Sequence, residues 1–314
     1  MRYDDFRRSD DIEDRRDDSG GGFAGGGGGS MGLPIGGGGL GIGTIIVLGL
    51  ISYAFGIDPR ILIGGAEILN GGGNQASTYQ TDRPSGQVKT GAPTDEMGSM
   101  IAGILGEIDD RWSEEFQSRG KTYTGPKIVL FRNATPGGRC GMAQSAMGPF
   151  YCPPDRKIFL DTGFFREVET RFHGCSGGAC KFTAAYIIAH EAGHHVQNLL
   201  GILPRVTQLQ QQSDKKDANA LQVKVELQAD CLSGVWANRE RKKRPNFLEP
   251  GDIDGALKTA SAIGDDTLQR QATGRVVPDS FTHGSAAQRK QWFMTGFQQG
   301  TLEACNTFAP GAVQ

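Results

Sequence analysis

Charge and apolarity run along this chain in blocks. Residues 1–18, MRYDDFRRSDDIEDRRDD, carry both signs of charge densely and read as a solvated tail. From Ser19 to Ile57 no charged residue occurs. The first part of that stretch (19–39) is mostly glycine, a linker composition with no side chains to build a core. The second part, LGIGTIIVLGLISYAFGI (40–57), is largely apolar. As a helix it would run about 27 Å, enough for one membrane span. Residues 58–93 turn polar again and read as a juxtamembrane linker.

From 94 to 309 the pattern is that of a folded domain. Apolar residues recur at Met97, Met100/Ile101, Ile104/Leu105, Ile108, Trp112 and Phe116, a one-faced helical stripe that Thr94 can cap and Glu96 can begin. KIVLFRN (127–133) reads as a strand, and GPFYCPPDRKIFLD (148–161) as two extended runs around a Pro-Pro-Asp-Arg turn. Helical periodicity then covers 181–200, 216–241, 252–263 and 284–300. A helix, a few strands and then helices predict an α+β domain.

Charge and cysteine place this domain. A net charge of −2 and a pI near 6.2 exclude the basic excess of a dedicated nucleic-acid binder. Arg2, Arg7, Arg8, Arg15 and Arg16 precede the apolar run, and only Arg60 follows within twenty residues. Such a bias predicts a cytoplasmic N-terminus, a single-pass anchor in the cell membrane, and a domain exported to the periplasmic or extracellular face. The leader is long and acidic and lacks a small-x-small site, which argues against a cleaved signal peptide. All six cysteines follow the run, as an oxidising compartment would allow. Of fifteen possible pairings, Cys140–Cys152 and Cys175–Cys180 close short loops, and Cys231–Cys305 would tie the C-terminal tail to the core.

The candidate chemistry lies in AYIIAHEAGHHVQNLLG (185–201), which holds three of the five histidines. His190 and His194 are four apart, so one helix face presents two ring nitrogens to one ion. Glu191 stands about 100° around the axis, beside such an ion, where a base acting on water belongs. Gly193 weakens the helix and marks a close approach by a neighbour. Thirty-two residues beyond His194, VELQADCLSGVWAN offers Glu226 and Asp230, again four apart, with Gly201 and Pro204 available to turn the chain back. Glu226 can complete a His2Glu zinc site, and Asp230 can accept the second N–H of a ligand histidine. His195 faces elsewhere and reads as a packing residue. HGCSGGAC reads as a disulfide loop rather than a metal knuckle. NRERKKRP (238–245) reads as a solvated helix end, and GLGIG enters the apolar run instead of following a strand.

AHEAGHHVQNLLG together with ELQADCLSGVWAN resembles the Glu-liganded zincins. The chain is similar, more closely, to the bacterial family of predicted neutral zinc metallopeptidases with a charged N-terminus and one membrane anchor. DDIEDRR, GPFYCPPDRKIFLD and SFTHGSAAQRKQWFMTGF (280–297) extend that likeness over nearly the whole chain. The resemblance implies a zincin-like fold, Zn2+ on His190, His194 and Glu226, and Glu191 as general base. It also implies that His283 donates a hydrogen bond to the oxyanion, and that an extended peptide lies along a sheet edge supplied by GPFYC or KIFLD. The expectation is a membrane-anchored zinc metallopeptidase acting on peptides or proteins of the cell envelope. The alternatives are a non-catalytic zinc-binding scaffold or adaptor, and a latent protease whose glycine tract and linker regulate access.

Overall fold

The structure, a computed structural model, describes residues 1–17 and 88–313. The glycine tract, the run 40–57 and most of the linker 58–93 lie outside the described residues. Among the described residues no helix is long and apolar enough to cross a membrane.

A five-stranded sheet has the order β2-β1-β3-β7-β6. Its members are β1 (Ile12–Asp14), β2 (Lys89–Thr90), β3 (Lys127–Phe131), β6 (Phe150–Cys152) and β7 (Lys157–Asp161). β1, β3 and β7 run parallel, with Ile12 opposite Ile128 and Ile128 opposite Ile158, while β2 and β6 pair antiparallel at the two margins. Period-two alternation divides the apolar side chains between faces. Ile128, Leu130, Ile158 and Leu160 join the main core under the helices. Val129, Phe131, Phe159 and Cys152 form a smaller cluster on the other side with Ala143. That residue belongs to the hairpin of β4 (Ala134–Pro136) and β5 (Met142–Gln144).

Among the described residues, eight helices complete the mixed α+β fold, which fits a zincin-like domain. They are α1 (Glu96–Ser118), α2 (Phe164–Thr170), α3 (Ala179–Leu199), α4 (Ile202–Gln210), α5 (Lys215–Lys243), α6 (Asp252–Ala262), α7 (Asp265–Thr273) and α8 (Ala286–Gln299). The N-cap of α1 is Asp95 rather than Thr94: its carboxylate accepts the Gly98 N–H at 3.0 Å. Pro204 does not end a helix but sits in the first turn of α4, where a missing N–H costs nothing. α8 crosses α5 at paired glycines. A Cβ on Gly296 would overlap the Cys231 carbonyl oxygen, and one on Gly234 the carbonyl oxygen of Phe293. The three disulfides are Cys140–Cys152 and Cys175–Cys180, which close short loops, and Cys231–Cys305, which ties the C-terminal tail to α5, the pairing favoured from the sequence.

One expectation is overturned. Residues 1–17 are not a solvated tail but part of the same folded unit as 88–314. Phe6 and Ile12 are buried in its core, and β1 sits inside the sheet. The end of the expected linker is likewise structured, because Lys89 and Thr90 pair with β1 as β2. The reason is that the tail's charges are matched in place. Arg16 bonds Asp14 and Asp95, Arg7 bonds Asp110, and Lys157 bonds Glu13. A dense mixture of charges is compatible with folding when each sign meets its opposite.

Candidate metal centre

Two helices build the centre. α3 is apolar through its first half and carries His190, Glu191 and His194 in its second. It touches α5 closely at Gly193, where a Cβ would lie 3.1 Å from the Ala229 carbonyl oxygen and 3.2 Å from its Cα. After α3 the chain turns at Gly201 in the left-handed conformation (φ 77°), an inexpensive posture only for glycine. α4 and α5 then double back, and Glu226 arrives opposite the two histidines. Its Oε2 lies 3.2 Å from His190 Nε2 and 3.4 Å from His194 Nε2. Ligands about 2.1 Å from a tetrahedral zinc stand about 3.4 Å from each other, so this donor set fits the ion. All three donor atoms lie within 4.8 Å of one another, and no fourth His, Cys, Asp or Glu joins the group among the described residues.

Each donor is held from behind. Asp230 Oδ1 accepts from His190 Nδ1 at 2.9 Å and from the Tyr186 hydroxyl at 2.6 Å. Buried Arg289 donates to both oxygens of Asp230, at 2.9 and 3.0 Å. His194 Nδ1 donates to Gln197 Oε1 at 2.8 Å. Gln197 passes its own N–H groups to Val225 O and Gln228 Oε1, and Gln228 donates to the carbonyl of Cys305, a half-cystine bonded to α5. Gln222 donates to Glu226 Oε1 at 2.9 Å. With both Nδ1 atoms committed as donors, Nε2 is the nitrogen of each ring that can bind a cation, on giving up its proton.

The electrostatics follow from burial and these partners. Burial disfavours a charged imidazole, yet Asp230 first and then Glu226 outweigh it and lift His190 to about 10. Burial opposes ionisation of Glu226 too, and the two histidines hold it well below the usual carboxylate range. Asp230 stays ionised in the same way, against Arg289 and His190. Glu191 is pushed up by burial, which the neighbouring histidines only partly offset. It makes no side-chain hydrogen bond among the described residues, so its carboxylate is uncommitted beside the donor set.

His283 lies in the loop before α8, half-exposed, with Nδ1 3.4 Å from Asp265 Oδ1. The other oxygen of Asp265 accepts the backbone N–H groups of Thr282, His283 and Gly284, which fixes the loop. Against partial burial, Asp265 and Glu226 hold His283 towards its charged form. His195 is a packing residue: it donates to Thr124 O at 2.7 Å and accepts from the Tyr151 hydroxyl at 2.9 Å. Sequence reasoning missed Gln197, Gln228, Tyr186, Asp265 and the part Arg289 plays. Tyr186 and Gln197 had a signal, since they stand four before His190 and three after His194 on one helix. The others come from remote segments.

Residues 1–308 match the model of a family described as "Putative neutral zinc metallopeptidase". The chain is 42% identical over 313 residues to the uncharacterized protein YpfJ of Escherichia coli K12, covering 98% of this chain and 99% of that one. It is 46% identical over 195 residues to the uncharacterized protein Rv2575 of Mycobacterium tuberculosis H37Rv, covering 60% and 64% respectively. No solved structure matches. The chain belongs to this zinc metallopeptidase family.

Proposed function

We propose that this family member is an exported zinc-dependent peptidase that hydrolyses peptide bonds, with His190, His194 and Glu226 holding Zn2+ and Glu191 as general base. The observation that carries the reading is the uncommitted, buried Glu191 carboxylate beside a three-donor set with no fourth protein ligand among the described residues. A scaffold zinc would instead be closed by four protein ligands. When bound there, zinc supplies Lewis acidity to the attacking water and the peptide carbonyl. Glu191 takes a proton from that water as its oxygen bonds the carbonyl carbon, and delivers it to the amine nitrogen as the C–N bond breaks. Its raised pKa suits both halves of that transfer. His283, steadied by Asp265, donates an N–H to the oxygen that gains charge. Asp230 and Gln197 keep the ligand imidazoles oriented.

A peptide substrate would lie along β6, because β7 is hydrogen-bonded on both sides, to β3 and to β6. Of the two segments considered, GPFYC therefore remains and KIFLD does not. Three disulfides support an oxidising compartment, and the apolar run 40–57 would bring the chain to a membrane there. Envelope peptides or proteins are the substrate class that results.

Glu191→Gln tests the reading. The variant should bind one zinc per chain and fold as the wild type does, while cleavage of a peptide library falls by at least about a thousandfold. Zinc-loaded wild-type protein that cleaves nothing in that library would sink the peptidase.

A further inference from the structure

The bias of arginines puts residues 1–17 and the folded domain on opposite sides of a bilayer. The fold has no room for that arrangement. β1 lies between β2 and β3, with Ile12, Glu13 and Asp14 in register with Ile128, Val129 and Leu130. Ile128 donates to Asp11 O at 2.9 Å, and Arg15 to Leu130 O at 2.8 Å. Ahead of the strand the segment lies along α1: Ser9 N–H donates to Ala102 O at 3.0 Å, Arg7 N–H to Glu107 Oε1 at 3.0 Å, and Arg7 Nη2 to Gly106 O at 3.0 Å.

A second, independent observation shows that α1 is shaped to receive this segment. Glycine weakens a helix interior, yet α1 has Gly103 and Gly106 one turn apart. A Cβ on Gly106 would overlap the Arg7 carbonyl oxygen, and one on Gly103 would meet the Arg8 guanidinium and come within 3.1 Å of Phe6 Cβ. The seat is thus written into a helix some ninety residues from the segment that occupies it. The arginines that suggested a cytoplasmic tail are engaged by the fold as well. Arg2 faces Glu249, Arg7 bonds Asp110, Arg8 bonds the Tyr3 and Phe6 carbonyls, Arg15 bonds Glu13, and Arg16 bonds Asp14 and Asp95.

We propose that residues 1–17 and 88–313 stand on the same side of any membrane the chain enters. One crossing between Asp17 and Val88 would put a hydrocarbon layer of about 30 Å between β1 and β3, which no hydrogen-bonded ladder can bridge. The arginines then act as structural ion-pair partners rather than as orientation signals. This inference concerns topology and does not depend on the peptidase reading.

Asp4 and Lys121 are exposed, and all six native cysteines are paired, so Asp4→Cys and Lys121→Cys in separate full-length chains give unique labelling sites. A membrane-impermeant maleimide is applied to spheroplasts before and after lysis. Both sites reacting before lysis, or both only after it, is the expected result. One site reacting before and the other only after overturns the proposal. A second measurement addresses docking directly. Trypsin should cut at Arg7, Arg8, Arg15 and Arg16 of the folded full chain at least about tenfold more slowly than in a synthetic peptide of residues 1–17. Equal rates would show the segment undocked and overturn the proposal as well.

Discussion

On one face of α3 stand His190 and His194; about a third of a turn away stands His195, more deeply buried than either. The metal-facing side meets carboxylates: Asp230 backs His190, and Glu226 faces both ligand histidines. The other side meets only neutral partners, a tyrosine hydroxyl and a backbone carbonyl, with Tyr123 edge-on to the ring at 5.7 Å. Burial pushes His195 down to about 4, whereas His190 rises to about 10. Asp109, which accepts a hydrogen bond from Tyr123 on the same neutral side, is pushed up by burial to about 7. Burial sets the cost of charge, and the partner decides whether that cost is met. One helix therefore turns one face to the carboxylates of α5, where a cation can be held, and another to neutral packing partners.

The largest test of this contrast is Asp230→Ala. It leaves Arg289 buried without its acceptor, which costs about 3–5 kcal/mol of stability, and it frees His190 Nδ1. Zinc affinity should fall by about 10–100-fold, read by competition with a chromogenic chelator. An unchanged affinity would detach the Asp230–Arg289 pair from the metal.

Next in size is Asp109→Asn, on the neutral face. Because the folded-state pKa is raised, the protonated carboxyl is the favoured buried form. Stability from this group is complete below the unfolded value of about 4 and is lost as pH rises through about 7. The interval corresponds to roughly 4 kcal/mol. The asparagine variant should match wild type near pH 3.5 and be the more stable protein at pH 8, by denaturant titration. A wild-type advantage at pH 8 would show that Asp109 has a charged partner after all, and the contrast between faces would fail.

The smallest effect belongs to Gln197→Leu. It removes a neutral support from His194 and leaves Gln228 Oε1 without a donor, costing about 1–3 kcal/mol. Zinc affinity should drop by less than in Asp230→Ala. A larger drop would reverse the ranking of charged over neutral backing.

Local periodicity made most of the fold and the donor set legible. His190 with His194, and Glu226 with Asp230, are each four apart on single helices, so their shared faces needed no tertiary knowledge. The two strands β6 and β7 and the turn between them were readable from the extended runs around Pro-Pro-Asp-Arg. Three-residue β1 was not readable, since Ile12–Asp14 has one apolar side chain and gains its ladder only from partners at 89–90 and 128–130. Asp265 was hidden by distance, because it holds His283 across eighteen residues through backbone N–H groups that carry no sequence signal. Gly103 and Gly106 did leave a signal, two glycines three apart on one helix face, but nothing in the pattern named the segment that fills it.

The glycine crossing of α5 and α8 gives the centre a vulnerability far from its chemistry. Arg289 can reach Asp230 only because Gly234 and Gly296 let the two backbones touch. A single methyl group at 296, two turns along α8 from the guanidinium, would lever the helices apart and slacken the grip on His190. A genetic screen for alleles that lose zinc binding should accordingly recover hits at this seam, two turns of α8 from the residue that braces the donor set.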